Sequence, residues 1–143
     1  MAGSTITPTR VSRDIGGVRK KEVVISIACL SDDTNGTVPN LTLTGLKDYV
    51  LTELKPIPHG TAPATSAFAV IILDENSSEI FDSDSIAVDS SDVIGAHTGS
   101  PSGGYPRMDA TATLKIVDPA NHANAMDIGN EKQVTLIARF EMK

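Results

Sequence analysis

The chain has 143 residues, 40% of them hydrophobic but only 3% aromatic, with no Trp and a formal net charge of -6. That length makes one ordinary domain whose single core must be built from Val, Ile, Leu and Ala rather than from large rings. No apolar run approaches the roughly 18 residues of a membrane span, and "AGSTITPTR" after Met1 has no apolar stretch, so neither a transmembrane helix nor a secretory signal is expected, and the chain reads as made in the cytoplasm.

The charge is unevenly spread. Arg10, Arg13, Arg19, Lys20 and Lys21 face only Asp14 among the first 21 residues, which leaves that stretch at +4 and the remainder at -10. Such asymmetry suggests an N-terminal segment that meets an acidic surface, while the acidic body argues against nucleic acid as the main partner. Residues 1–20 are rich in Thr, Arg, Gly and Pro and lack periodicity, and are expected to be an extended basic arm. Residues 21–143 are expected to be the folded domain.

From Lys21 the pattern turns to period two. Val23, Ile25, Ile27 and Cys29 share one face of "EVVISIACL", a β-branched run closed by the turn cluster "SDDTNG". "LTLTGL" sets Leu41 and Leu43 against Thr42 and Thr44. "DYVLTELKPI" alternates Val50, Thr52 and Leu54 with Tyr49, Leu51 and Glu53, until Pro56 and Pro58 are expected to end the pairing. "AFAVIILD" is apolar on both faces, as a central strand should be. "IFDSDSIAV" is a shorter strand candidate. The stretch 89–106, "DSSDVIGAHTGSPSGGYP", is too broken by Gly and Pro for a core connection and reads as a long loop. "RMDATATLKIV" puts Ala112, Leu114 and Ile116 on one face, and "DPANHANAMDIGN" has room for one helical turn after Pro119. In "KQVTLIARFEM" Val134, Leu136, Ala138, Phe140 and Met142 alternate with a mostly polar face. About seven to eight short strands without a long helix describe an all-β fold, an antiparallel β-sandwich of jelly-roll-like kind, with the extended arm at its N-terminus.

Few residues carry the pattern of a chemical site. In "ILDENSSEIFDSDS", Asp74, Asn76, Ser78, Ile80 and Asp82 occupy alternate places of a calcium-loop pattern, but Glu79 stands where that loop needs Gly and Ser85 where it needs a bidentate Glu. An acidic turn between strands accounts for it better, since Asp, Asn and Ser bond their own backbone in turns. His59, His97 and His122 lie in loops without the short His spacing of metal sites and are expected to be solvated. Cys29, the one cysteine, sits in an apolar run and is expected to be an inert buried thiol. Neither a nucleophile elbow nor a phosphate loop occurs. Asp82 with Asp84, or Asp89 with Asp92, are the carboxylate pairs a glycosidase would draw on, yet seven acidic and no basic residues run from Asp74 to Asp92, as on a solvated acidic surface. No catalytic residue, cofactor or metal ligand is assigned.

"GGVRKKEVVISI", "DDTNGTVPNLTLTGL", "YVLTELKPIPHGTAPATSAFAVIILDENSSEIFD", and then "ATLKIV", a turn and "KQVTLIARF", spanning residues 16–140, resemble small all-β virion proteins of tailed bacteriophages. The characteristic part is "GTAPATSAFAVIILDENSSEIFD", similar to that group's Gly-Thr-x-Pro-Thr loop, aromatic-bearing strand and acidic turn. Asn76, Ser77 and Ser78 replace the glycine usual at the turn, and Phe68 stands where a tyrosine is common. The resemblance implies a structural, non-enzymatic virion protein, above all a capsid decoration or cement protein, acting as a homo-oligomer, with a trimer favoured. Its partners would be the major capsid protein or other virion proteins, with no specific nucleic acid and no membrane. Arg10, Arg13, Arg19, Lys20 and Lys21 are the expected attachment residues. A neck or tail accessory, or a carbohydrate-binding sandwich using Tyr105 in the loop 89–106, are the alternatives.

Overall fold

The computed structural model describes residues 4–14, 21–100, 104–122 and 128–142. Nine strands run through them: β1 Thr5–Asp14, β2 Lys21–Leu30, β3 Leu41–Thr44, β4 Tyr49–Pro58, β5 Ala69–Leu73, β6 Glu79–Asp82, β7 Ile94–Gly95, β8 Thr111–Val117 and β9 Gln133–Met142. A single 3-10 turn, Ala96–Gly99, interrupts them, and no α-helix occurs among the described residues. Among the described residues no helix is long and apolar enough to cross a membrane.

The strands form two antiparallel sheets, one in the order β1-β2-β9-β4-β7 and the other β3-β8-β5-β6, consistent with a β-sandwich. From β2 onward the chain folds back on itself as nested pairs: β2 with β9, β3 with β8, β4 with β7, and β5 with β6. One apolar cluster draws on both sheets, including Ile25 and Ile27 from β2, Leu54 from β4, Ile72 from β5, Leu114 from β8 and Leu136 from β9. Phe68, Phe81 and Phe140 are its largest fully buried side chains.

Where the apolar residues alternate, the strands lie as expected. Val23, Ile25, Ile27 and Cys29 of β2 are all buried, as are Val134, Leu136, Ala138 and Phe140 of β9. β5 is apolar on both faces for a structural reason. Val70 and Ile72 face the main core, while Ala69 and Ile71 join Val117 in a second small buried cluster on the other face of the sheet. The antiparallel register pairs Ala69 with Val117 and Ile72 with Leu114, so the two faces are separated by the strand's own pleat.

The strand pattern departs from expectation in four places. In β4 the register shifts between Leu51 and Glu53, so Thr52 bulges and both Leu51 and Leu54 are buried, which breaks the alternation. Pro56 and Pro58 do not end the strand; they pair in register with Leu136 and Val134 of β9. On the far side β7 covers only Glu53 and Leu54, so each proline's missing N–H falls on an open edge and costs no ladder bond. The stretch expected as one long loop over 89–106 also carries regular structure in its described part. Ile94–Gly95 is β7, and Ala96 in the turn that follows is fully buried. Finally, ten residues of the segment expected as an extended arm without periodicity are β1, paired along their whole length with β2. The helical turn expected after Pro119 is not formed over 119–122, and residues 123–127 lie outside the described residues.

Candidate functional site

β1 is the edge of the five-stranded sheet and makes no pairing beyond β2 among the described residues. Register sets its faces. Ile6, Pro8, Arg10 and Ser12 lie opposite the core-facing residues Cys29, Ile27, Ile25 and Val23, and Thr5, Thr7, Thr9, Val11 and Arg13 lie on the outer face. Only Ile6 packs on the core, and from Thr7 to Arg13 every residue is exposed, with Val11 at 58%. This strand is held by its ladder rather than by apolar burial, and that explains why it has no hydrophobic period to read.

Two of the five attachment cations have partners in their own chain. Arg10 donates through Nη2 to the Thr44 carbonyl at 2.5 Å, tying β1 to the end of β3 in the opposite sheet. Arg13 donates through Nε to Glu22 Oε1 at 2.7 Å. Glu22 in turn accepts from Arg139 Nη1 at 3.1 Å, and Arg139 Nε donates to Glu53 at 2.6 Å. Arg13, Glu22, Arg139 and Glu53 therefore form a line of alternating charge across β1, β2, β9 and β4. Glu22 points away from the core yet is only 4% exposed, because the two guanidinium groups cover it. Burial alone pushes its carboxyl up, but the bonds from Arg13 and Arg139 and their charges outweigh that and hold it below the ordinary glutamate value. Lys21 is exposed at the start of β2, and Arg19 and Lys20 lie outside the described residues.

The acidic stretch separates into a turn and a cluster. Asp74 Oδ1 accepts the backbone N–H groups of Asn76 and Ser78, both at 2.9 Å, and the Asp74 and Ser78 backbones close the turn, with Ser77 in the left-handed region at φ 62°. These bonds occupy one carboxylate oxygen at the first place of the calcium-loop pattern and close the turn.

The cluster lies just beyond. Residues three apart on a regular strand face opposite ways, but Ile80 forms a bulge: Ile72 pairs with Phe81 and Leu73 with Glu79. Phe81 thus fills the core while Glu79 and Asp82 both point outward. His122, expected as a solvated loop histidine, comes between them from the segment after β8. Its Nδ1 lies 2.9 Å from Glu79 Oε2 and its Nε2 3.4 Å from Asp82 Oδ2. The hydrogen bond to Glu79 raises its pKa, burial opposes, and the charges of Asp82, Glu79 and Asp84 add to the rise. Asp82 is itself oriented by the Asp84 N–H, which donates to Oδ1 at 2.9 Å and leaves Oδ2 toward the ring. Sequence spacing carried no sign of this group, because His122 is 43 residues from Glu79 and the bulge reverses the parity of β6.

The remaining candidates are not brought together. Asp89 and Asp92 are exposed. A cleft of about 410 Å³ is lined by Lys47, Asp48, Glu75, Arg107, Met108 and Asp109, so none of the four glycosidase candidates borders it. Two of its carboxylates serve the backbone: Asp109 accepts the Glu75 N–H and Glu75 accepts the Thr111 N–H, both at 3.2 Å. Tyr105 is 45% exposed and meets His97 edge to face, with ring centroids 5.4 Å apart. The other aromatic residues beyond Tyr49 are the three buried phenylalanines, so Tyr105 stands as a lone platform. Cys29 is 3% exposed, and burial pushes its thiol up to about 12. No family model, no curated protein and no solved structure matches the chain.

Proposed function

We propose that the chain is a structural, non-enzymatic virion protein of a tailed bacteriophage, a head decoration protein that attaches through its N-terminal segment as a homo-oligomer, with a trimer as the assembling unit. The observation that carries this reading is β1. A ten-residue strand with one edge unpaired, exposed from Thr7 to Arg13 and nearly free of apolar anchoring, is expensive to leave uncovered in a protein that acts alone. It suits one that adds a strand to a neighbour.

Other features point the same way. Without β1, the strands fall into four-stranded sheets β2-β9-β4-β7 and β3-β8-β5-β6 built from nested pairs, which supports the jelly-roll reading, an architecture used by viral capsid and lectin domains. The space between the sheets is filled with aliphatic and phenylalanine side chains, so recognition falls to edges and outer faces. The cations of the attachment segment divide the work. Arg10 and Arg13 brace β1 against its own body, and Lys21 is exposed at the start of β2 to meet an acidic lattice. Each exposed ion pair contributes under about 1 kcal/mol, so occupancy would depend on strand pairing and on several copies binding at once.

The test is the mass of the purified chain by light scattering, alone and with empty phage heads. A trimer that saturates heads is the expected result. A monomer that leaves heads bare, or a larger ring that ignores them, refutes the decoration reading in favour of a neck or tail position or a glycan-binding module. Deleting residues 1–20 should abolish head binding. Because that deletion also uncovers β2, Val11→Glu provides a companion variant that changes an exposed side chain and keeps the ladder. Undiminished occupancy in both variants would refute attachment through this segment.

A further inference from the structure

Glu79, Asp82 and His122 form a convergent donor set on the outer face of the four-stranded sheet, apart from the attachment strand. Each offers one ligating atom, and these atoms lie within 4.8 Å of one another. All three side chains are partly buried, with exposures of 30%, 22% and 30% for Glu79, Asp82 and His122. We propose that they bind one divalent transition-metal ion, with Zn²⁺ the best match, in a site of one imidazole nitrogen and two carboxylate oxygens.

The donors decide the class of ion. Imidazole favours zinc and its first-row neighbours, whereas calcium and magnesium take all-oxygen shells, and nothing here supplies the six to eight oxygens that calcium needs. Three protein ligands leave one tetrahedral position for water or for a group from another molecule. Zinc bonds of roughly 2.0–2.2 Å place neighbouring ligand atoms about 3.3 Å apart. The two short contacts engage opposite ring nitrogens, Glu79 at Nδ1 and Asp82 at Nε2, and an ion takes only one of them, so binding exchanges one contact for a metal bond. With one ligand atom from each residue the three already lie within 4.8 Å of one another, and rotation of side chains that are open to solvent on one side closes the rest.

The backbone around the cluster also favours a bound cation. The bulge at Ile80 places two carboxylates on one face of a four-residue strand that would otherwise set them apart. Asp84, two residues further, adds a third negative charge, and among the described residues no Lys or Arg pairs with Glu79 or Asp82. Among the described residues, His122 is the one basic side chain that pairs with Glu79 and Asp82. The Asp84 N–H fixes Asp82 by holding Oδ1, which is the outer-shell support that metal-binding carboxylates commonly have.

The experiment is calorimetric titration of the untagged full chain with ZnCl₂, with CaCl₂ in parallel, together with long-range ¹H–¹⁵N spectra of the three imidazoles. One Zn²⁺ per chain is expected, with the His122 ring nitrogens shifting on binding and those of His59 and His97 unmoved. His122→Gln and Asp82→Asn, each checked for native fold by circular dichroism, should weaken binding at least tenfold. Three results overturn the proposal: no saturable Zn²⁺ binding, binding unchanged in His122→Gln, or shifts centred on His59 or His97. Calcium binding as tight as zinc would overturn the imidazole's part in it.

Discussion

Replacing Glu22 by Gln tests whether the charge line across the outer face holds the edge strand in place. Glutamine keeps the volume and one acceptor oxygen but removes the charge that Arg13 and Arg139 share. Converting a charge-assisted bond to a neutral one forfeits about 1 kcal/mol. The Arg13 side chain is 60% exposed, so its share is smaller, while Arg139 retains Glu53. The expected loss is about 2 kcal/mol near pH 7, below the roughly 3–5 kcal/mol of breaking a fully buried pair. For a chain of this size that lowers Tm by roughly 4–8 °C. The sign with pH follows from the depressed carboxyl. A glutamate whose folded pKa lies below its unfolded value contributes fully above the unfolded value, about 4.3, and the contribution disappears as pH falls through the folded pKa. Urea unfolding of both proteins, from about pH 7 downward, should show two stabilities that converge in acid. A difference under about 0.3 kcal/mol at neutral pH, or one that persists unchanged in acid, would refute the assignment.

One labelling probe and three substitutions test other parts of the fold. Cys29, with its thiol pushed up to about 12, should resist a disulfide reagent at mildly alkaline pH in the native state and react at the rate of global opening; fast native labelling would contradict its burial. Gly99→Ala would set a Cβ 2.3 Å from the Asp82 carbonyl oxygen and 2.8 Å from Phe81, so it should cost about 1–3 kcal/mol, whereas Gly60→Ala, with nothing within 4 Å, should stay within about 0.5 kcal/mol in the same denaturation assay. Ser77→Gly relieves a left-handed residue at φ 62°, a strain of about 1–2 kcal/mol partly offset by glycine's extra unfolded freedom, and should stabilise the chain by under about 1 kcal/mol; destabilisation would show that the Ser77 side chain matters to the turn.

How much of this could be read beforehand depended on which force holds each element. β2 and β9 were legible because burial on one face imposes period two on Val23 to Cys29 and on Val134 to Phe140. β5 was legible as a central strand because both of its faces are covered. β1 was not, since backbone bonds hold it and Thr7 to Arg13 bury too little to leave an apolar pattern. β7 was hidden for a related reason: two residues, Ile94 and Gly95, are too few to show any period inside a Gly-rich stretch. The bulges at Thr52 and Ile80 each shift parity by one, which turned Leu51 inward against the expected alternation and set Glu79 beside Asp82. The encounter with His122 is purely tertiary, so no local spacing could announce it.

The placement of β2 between β1 and β9 has a mechanical consequence. Both neighbours run antiparallel to β2 and therefore parallel to each other, and Thr5 lies at the Leu30 end while Met142 lies at the opposite end, beside Tyr49. Tension between Thr5 and Met142 would slide the strands lengthwise and load the rungs of both ladders together, whereas tension between Thr5 and Leu30 would unzip β1 one rung at a time. Single-molecule stretching should therefore find a much higher rupture force along the first axis than along the second, and a strand that looks loosely attached by its lack of apolar contacts would be strong in the one direction in which it is pulled along its length.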